Sequence, residues 1–184
     1  MGMNSRKLRS LSIWIGVALA VTILALYAAI VRSTMNENPV SLLACMETEV
    51  SWRAWTCEKV LRHASLTDDQ VRQLNQEAGL RFPLSMENPR HVEEMFELFI
   101  DRGVDINARD QETKGWTALH GTSMGDPAEK VAILLRHGAR IDLRDSDGRT
   151  PLDLARLARQ KYPTNPHIAE TIRLLEEAQG KSPS

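Results

Sequence analysis

Five histidines and two cysteines are the residues of this 184-residue chain best suited to bind a metal or act as a nucleophile and its base. His63, His91, His120, His137 and His167 show no zinc-type spacing with Cys45 and Cys57. Cys57 and His63 would form a thiol nucleophile and base, but six residues apart on one predicted helix they face different ways. Cys45 and Cys57 also lack the Cys-x-x-Cys spacing of a dithiol redox centre, which weakens a thiol–disulfide enzyme reading. Glu93-Glu94 offers two carboxylates, yet neighbours on a helix diverge by about 100°, so a solvated face explains them better. Gly115 and Gly148 read as turn glycines, and no phosphate-cradling loop is present. These patterns point to no catalytic residue, no metal site and no cofactor, and so to a binding protein rather than an enzyme.

The partner classes narrow further. A net charge of −1, with no basic stripe carrying interleaved aromatics, argues against nucleic acid. Leu11 to Val31 is an uncharged run of 21 residues. At about 1.5 Å per residue it matches the roughly 30 Å hydrocarbon core of a bilayer. The competing reading is a cleaved signal peptide, whose apolar region is usually only about 7–15 residues, and no small-x-small site follows. Arg6, Lys7 and Arg9 precede the run, whereas Arg32 is the only basic residue after it until Arg53. Basic residues stay on the cytoplasmic side, so the expectation is one inner-membrane span with a cytoplasmic N-terminus and the remainder outside, in a bacterium the periplasm.

The elements that follow are short helices. Residues 1–10 form a cytoplasmic tail, 11–31 the anchor and 32–39 a polar tether. Asn38-Pro39 has the chemistry of a helix start. Val40–Glu47 and Ser51–His63 then carry apolar residues at helical spacing, with Trp52 and Trp55 on one face as core or membrane-proximal packing. A Cys45–Cys57 disulfide across this hairpin fits an exported domain; the alternative is two buried thiols. Thr67-Asp68-Asp69-Gln70 reads as a capping box for a helix ending at Gly79, and residues 79–87 as a loop. Asn88-Pro89 starts a helix with Val92, Met95, Phe96, Phe99 and Ile100 on one stripe, stopped by Gly103. Residues 40–87 are thus read as degenerate or capping hairpins, 88–179 as the organised part, and 180–184 as a tail.

Within that part the sequence repeats. Gly115-Trp116-Thr117-Ala118-Leu119-His120 returns as Gly148-Arg149-Thr150-Pro151-Leu152-Asp153, a period of 33 residues. Gly103 to Asp110 returns as Gly138 to Asp145 at a spacing of 35, leaving two extra residues in an enlarged turn at Gln111 to Lys114. These residues, with Ile133-Leu134-Leu135-Arg136-His137-Gly138-Ala139, resemble the ankyrin repeat, whose first-helix signature is glycine, one residue, then Thr-Pro-Leu-His. The resemblance implies an all-α solenoid of helix pairs with short β-hairpin fingers, here preceded by one transmembrane helix. His120 is assigned by it to hydrogen bonding within a repeat. Departures are Gly121-Thr122-Ser123 in place of a better helix former, expected to make the inner face more polar, Asp153 for histidine, and a long loop from Arg159 to Pro166.

The resemblance also implies a protein-binding surface on finger tips and inner helices. Around the first finger it selects Arg109, Gln111, Glu112, Lys114 and Trp116, and around the second Arg144, Ser146 and Arg149; Met124 joins them from the inner helix end. Trp116 fills the variable slot of the signature, either as an interface anchor or packed against the enlarged turn. The expected function is a membrane-anchored module that binds a protein outside the cytoplasmic membrane. It is similar to immunity proteins that neutralise a toxic effector, with a scaffold or assembly factor for an envelope complex as the alternative.

Overall fold

The computed structural model describes residues 5–35, 37–47, 51–63 and 65–181, and of the residues 5–13, 35, 51 and 181 the backbone only. Ten helices and no strand occur among the described residues. The chain forms two compact units, residues 1–64 and 65–184.

In the first unit, helix α1 (Ser5–Met35) runs through the apolar segment and into the expected tether. Its stretch Trp14–Thr34, 21 residues with a mean hydropathy of 2.4 and no burial, is long and apolar enough to cross a membrane. Two of its hydroxyls are satisfied by the helix itself: Thr22 donates to the Leu19 carbonyl and Thr34 to that of Ile30, each at 2.8 Å. Asn38 caps helix α2 (Pro39–Met46) by accepting the Val40 N–H at 2.9 Å. Helix α3 (Ser51–His63) folds back on α2, and the Cys45–Cys57 disulfide joins them with a Cα–Cα distance of 6.1 Å. Leu42, Leu43, Met46, Cys57, Val60 and Leu61 are buried. Trp52 and Trp55, expected as core or membrane-proximal packing, lie outside this core at 54% and 53% exposure. The reason is geometric: the stripe of Cys57, Val60 and Leu61 already fills the face that α3 turns inward.

The second unit opens with helix α4 (Asp68–Gln76), started by the Thr67–Gln70 capping box. It stops in a tight turn in which Ala78, not Gly79, takes the left-handed conformation, with φ of 50°. Gly79 is required for another reason. Its N–H meets the Leu74 carbonyl at 2.7 Å, and an added Cβ would stand 2.8 Å from both the Leu74 Cβ and that oxygen.

Three helix pairs follow: α5 (Arg81–Leu84) with α6 (Pro89–Asp101), α7 (Ala118–Thr122) with α8 (Ala128–Arg136), and α9 (Pro151–Lys161) with α10 (Pro166–Lys181). The first helices pack in a row, α5 on α7 and α7 on α9, while α10 packs on α8 and α9. Helix α5 replaces the loop expected at 79–87. Phe82-Pro83-Leu84 precedes Thr117-Ala118-Leu119 by 35 positions, so α5 is a one-turn first helix, and Pro83 within its first turn breaks no helical hydrogen bond. The long loop expected from Arg159 is shorter, because α9 continues to Lys161. Each interior is filled by fully buried side chains, Leu84, Phe96 and Phe99 in the first pair, Leu119 and Leu134 in the second, Leu154, Ile168 and Leu175 in the third. Truncating one of the phenylalanines removes about 3–5 kcal/mol.

Candidate functional site

The site is built on two fingers that a repeated aspartate holds in shape. Asp110 Oδ1 accepts the N–H groups of Glu112 and Thr113 at 2.9 and 3.1 Å, and Asp145 Oδ1 accepts those of Asp147 and Arg149 at 2.9 and 2.8 Å. Each finger is closed across its base, the Asp110 N–H meeting the Trp116 carbonyl and the Asp145 N–H meeting that of Arg149, both at 2.8 Å. The fingers are therefore turns rather than paired strands. The enlarged first finger puts Lys114 in a left-handed conformation, with φ of 32°, directly before Gly115 at 66°, the counterpart of Gly148 at 77°.

Both aspartates are buried and ionised. For Asp145 burial would raise the carboxyl, but the Arg149 N–H, the Arg149 guanidinium and the Trp116 indole outweigh it and bring the pKa down to about 2. Asp110 is lowered in the same way, burial opposed by Thr113, the Glu112 N–H and Arg81. Trp116 Nε1 donates to Asp145 Oδ2 at 3.1 Å, and Arg149 donates to that oxygen through Nε and Nη2 at 3.1 and 3.0 Å.

His120 joins consecutive units. Its Nδ1 accepts the Thr117 N–H at 3.2 Å, which leaves the proton on Nε2 to reach the Arg149 carbonyl at 3.2 Å. Burial holds its pKa below the usual value, against the raising influence of the Arg149 carbonyl and Asp145. In the last unit Asp153 does the capping half of this job, bonding the Thr150 N–H and hydroxyl at 2.9 and 2.8 Å.

Most of the residues selected from the sequence come together here. Arg109 reaches the Arg144 carbonyl at 2.6 Å, Lys114 the Asp147 carboxylate at 2.6 Å, and the Ser146 N–H the Lys114 carbonyl at 2.7 Å. Arg144 donates to the Gly148 carbonyl at 2.7 Å within its own finger. Gln111 and Glu112 are exposed on the first tip, where the Gln111 N–H is bound by the Gln76 carbonyl. Met124, half-buried after α7, does not line the groove described next.

A groove of about 320 Å³ runs between the first finger and the inner helices, walled by Arg81, Ser85, Thr113, Trp116, Gly121 and Asp126 among others. Only Trp116 of these was selected from the sequence. Arg81 was legible as the residue 35 before Trp116 once α5 is counted as a repeat helix. The Gly121-Thr122-Ser123 segment does not make the inner face polar as expected. Thr122 and Ser123 are buried, their hydroxyls bonded to the Ala118 and Leu119 carbonyls at 3.1 and 2.6 Å; Gly121 and Thr122 line the groove, and Gly121 is the exposed residue of the three. The structure also gathers Glu93, Glu97 and His137, which no sequence spacing announced. Glu93 is ion-paired with Arg136, and the His137 ring packs edge-on against Phe96 with centroids 5.2 Å apart.

Stacked helix pairs with finger turns, sharing a buried aspartate and a threonine-led capping box, define a helical repeat protein of the interaction-module class. Residues 85–175 match the family model for ankyrin repeats in three copies, and the chain is an ankyrin-repeat protein over that range. It is 42% identical over 57 residues to the inhibitor of Bruton tyrosine kinase of Xenopus laevis, covering 31% of this chain and 4% of that protein. To protein glp-1 of Caenorhabditis elegans it is 35% identical over 108 residues, covering 53% of this chain and 8% of the relative. To SH3 and multiple ankyrin repeat domains protein 2 of Homo sapiens it is 31% identical over 104 residues, 56% of this chain and 6% of the relative. The chain thus spans less than a tenth of the length of these relatives, and the likeness is to their repeats. Ankyrin repeats are protein–protein interaction modules, and that role is what the fold and the comparisons support together.

Proposed function

We propose that the chain is a single-span, membrane-anchored ankyrin module that captures a protein on the outer face of the cytoplasmic membrane and acts there as an immunity protein against a toxic effector. The observation that carries the binding reading is the groove beside Trp116. It combines one aromatic wall, a floor without a side chain at Gly121 and a polar rim at Arg81, Ser85, Thr113 and Asp126. Grooves of this composition suit an extended protein segment that leaves an apolar side chain against the indole. The anchor reading is supported by the apolar stretch Trp14–Thr34, and the outward orientation by the basic residues placed before it. A disulfide in the described residues fits an oxidising compartment.

The test uses the detergent-solubilised full chain and Gly121→Arg. A Cβ at Gly121 meets nothing within 4 Å, so the arginine is accommodated by the fold while filling the groove. Capture of a secreted toxin by the parent, lost in Gly121→Arg with unchanged thermal unfolding, is the expected result. Equal capture by both would remove the groove as the site, and capture of an envelope-assembly component instead of a toxin would replace the immunity role by scaffolding. Alkaline phosphatase fused to the C-terminus is expected to be active; an inactive fusion reverses the topology.

A further inference from the structure

We infer that the α2–α3 hairpin is a second membrane contact, with Trp52 and Trp55 seated in the interfacial zone of the bilayer beside the outer end of α1 and with Arg53 and Lys59 on lipid phosphates. The inference rests on the reading of α1 as a membrane anchor.

Both tryptophans are more than half exposed, although the hairpin that carries them has a filled core and a disulfide closing it. They are therefore displayed by a finished structure. Each borders the last turns of α1. Trp52 lines a groove of about 500 Å³ with Ile30 and Thr34, and Trp55 one of about 240 Å³ with Tyr27 and Val31. The apolar stretch ends at Thr34. At 1.5 Å per residue, Tyr27 and Val31 lie about 5–10 Å inside that end, the depth to which interfacial helices bury their apolar faces. The α3 tryptophans thus continue the apolar surface of α1 at the level where indole is favoured, with its ring in the acyl boundary and its N–H in reach of water and carbonyls.

Charge points the same way. Arg53 and Lys59 are exposed on α3, and the Lys59 ammonium lies 6.0 Å from the centroid of the Trp55 ring. Glu58 is engaged by Arg62 at 2.8 Å. Long cationic side chains of this kind lay their stems along apolar surface and extend their heads to phosphate. A protein partner or a second copy would need a matching apolar surface, whereas lipid is already present wherever α1 is inserted.

The experiment uses the full chain in vesicles of phosphatidylcholine and phosphatidylglycerol whose acyl chains are brominated near the headgroup or near the bilayer centre. Trp14→Phe/Trp116→Phe leaves only Trp52 and Trp55 emitting, and Trp52→Phe/Trp55→Phe/Trp116→Phe leaves only Trp14 on α1. The expected result is about twofold quenching of Trp52 and Trp55 by the shallow bromines with little effect of aqueous iodide, alongside lipid quenching of Trp14. Trp14 quenched by lipid while Trp52 and Trp55 answer only to iodide would overturn this inference and leave the anchor standing. Shielding of the pair from both quenchers would also overturn it, in favour of a protein cover. No lipid quenching of Trp14 would remove the anchor and this inference together. Should the first variant misfold, the shallow quenching lost between the parent and Trp52→Phe/Trp55→Phe reports the same contact, and an unchanged value overturns it.

Discussion

The Trp116 indole N–H bonds the Asp145 carboxylate at 3.1 Å across two repeat units, and 35 residues earlier Arg81 bonds Asp110 at 2.7 Å in the same way. The same repeat position, at the start of α5 and just before α7, therefore braces the aspartate of the following finger. Trp116 serves the fold through its edge while its ring walls the groove. The two roles separate in Trp116→Phe, which keeps most of the ring and deletes the donor. It is expected to lower stability by about 1 kcal/mol in urea unfolding. A cycle with Asp145→Asn is expected to show a coupling of roughly 0.5–3 kcal/mol; additive losses would mean the two do not act together.

Acid should act on the same bracing. The lowered pKa values of Asp145 and His120 mean that the unfolded chain binds more protons than the folded one, so stability falls as pH falls. The first loss is expected below about pH 6.5, the ordinary histidine value, as unfolded His120 charges while the folded ring stays neutral. The second begins near pH 4 and is complete near the Asp145 value of about 2. Urea midpoints measured from pH 7 down to 3 check this, and His120→Gln should flatten the first decline. A decline of undiminished depth in that variant would assign it to another group.

Gly79→Ala tests close approach apart from backbone strain. The new methyl would press on Leu74 at 2.8 Å although the glycine has no left-handed φ, so a loss of about 1–3 kcal/mol is expected in thermal or urea unfolding. Unchanged stability would show that the turn after α4 relaxes freely.

The disulfide should matter only locally. Its ends are 12 residues apart, so replacing both cysteines by serine is expected to cost the hairpin about 2–3 kcal/mol. Because residues 65–184 form their own compact unit, hydrogen exchange in α7 to α10 should not change. Faster exchange there as well would mean that the two units unfold together.

The sequence by itself determined whatever depends on local chemistry repeated at a fixed interval. The capping signals at Thr67, Thr117 and Thr150, the turn glycines Gly115 and Gly148, and the apolar stripes of α6 and α8 all act within a few residues, and each appears where the spacing put it. The uncharged run of α1 and the pairing of Cys45 with Cys57 were legible for the same reason. Only the tertiary structure decided what those elements turn toward one another. Helix α5 is a single turn, too short to show a period, and is held by packing against α6 and α7. Thr122 and Ser123 look polar in the sequence but bury hydroxyls satisfied by the backbone one turn back, leaving Gly121 as the exposed residue of the three beside the groove. Trp116 could not be read as anchor or brace until Asp145 was brought to its indole, because a hydrogen bond across 29 residues depends on the stacking of units and leaves no mark in local sequence.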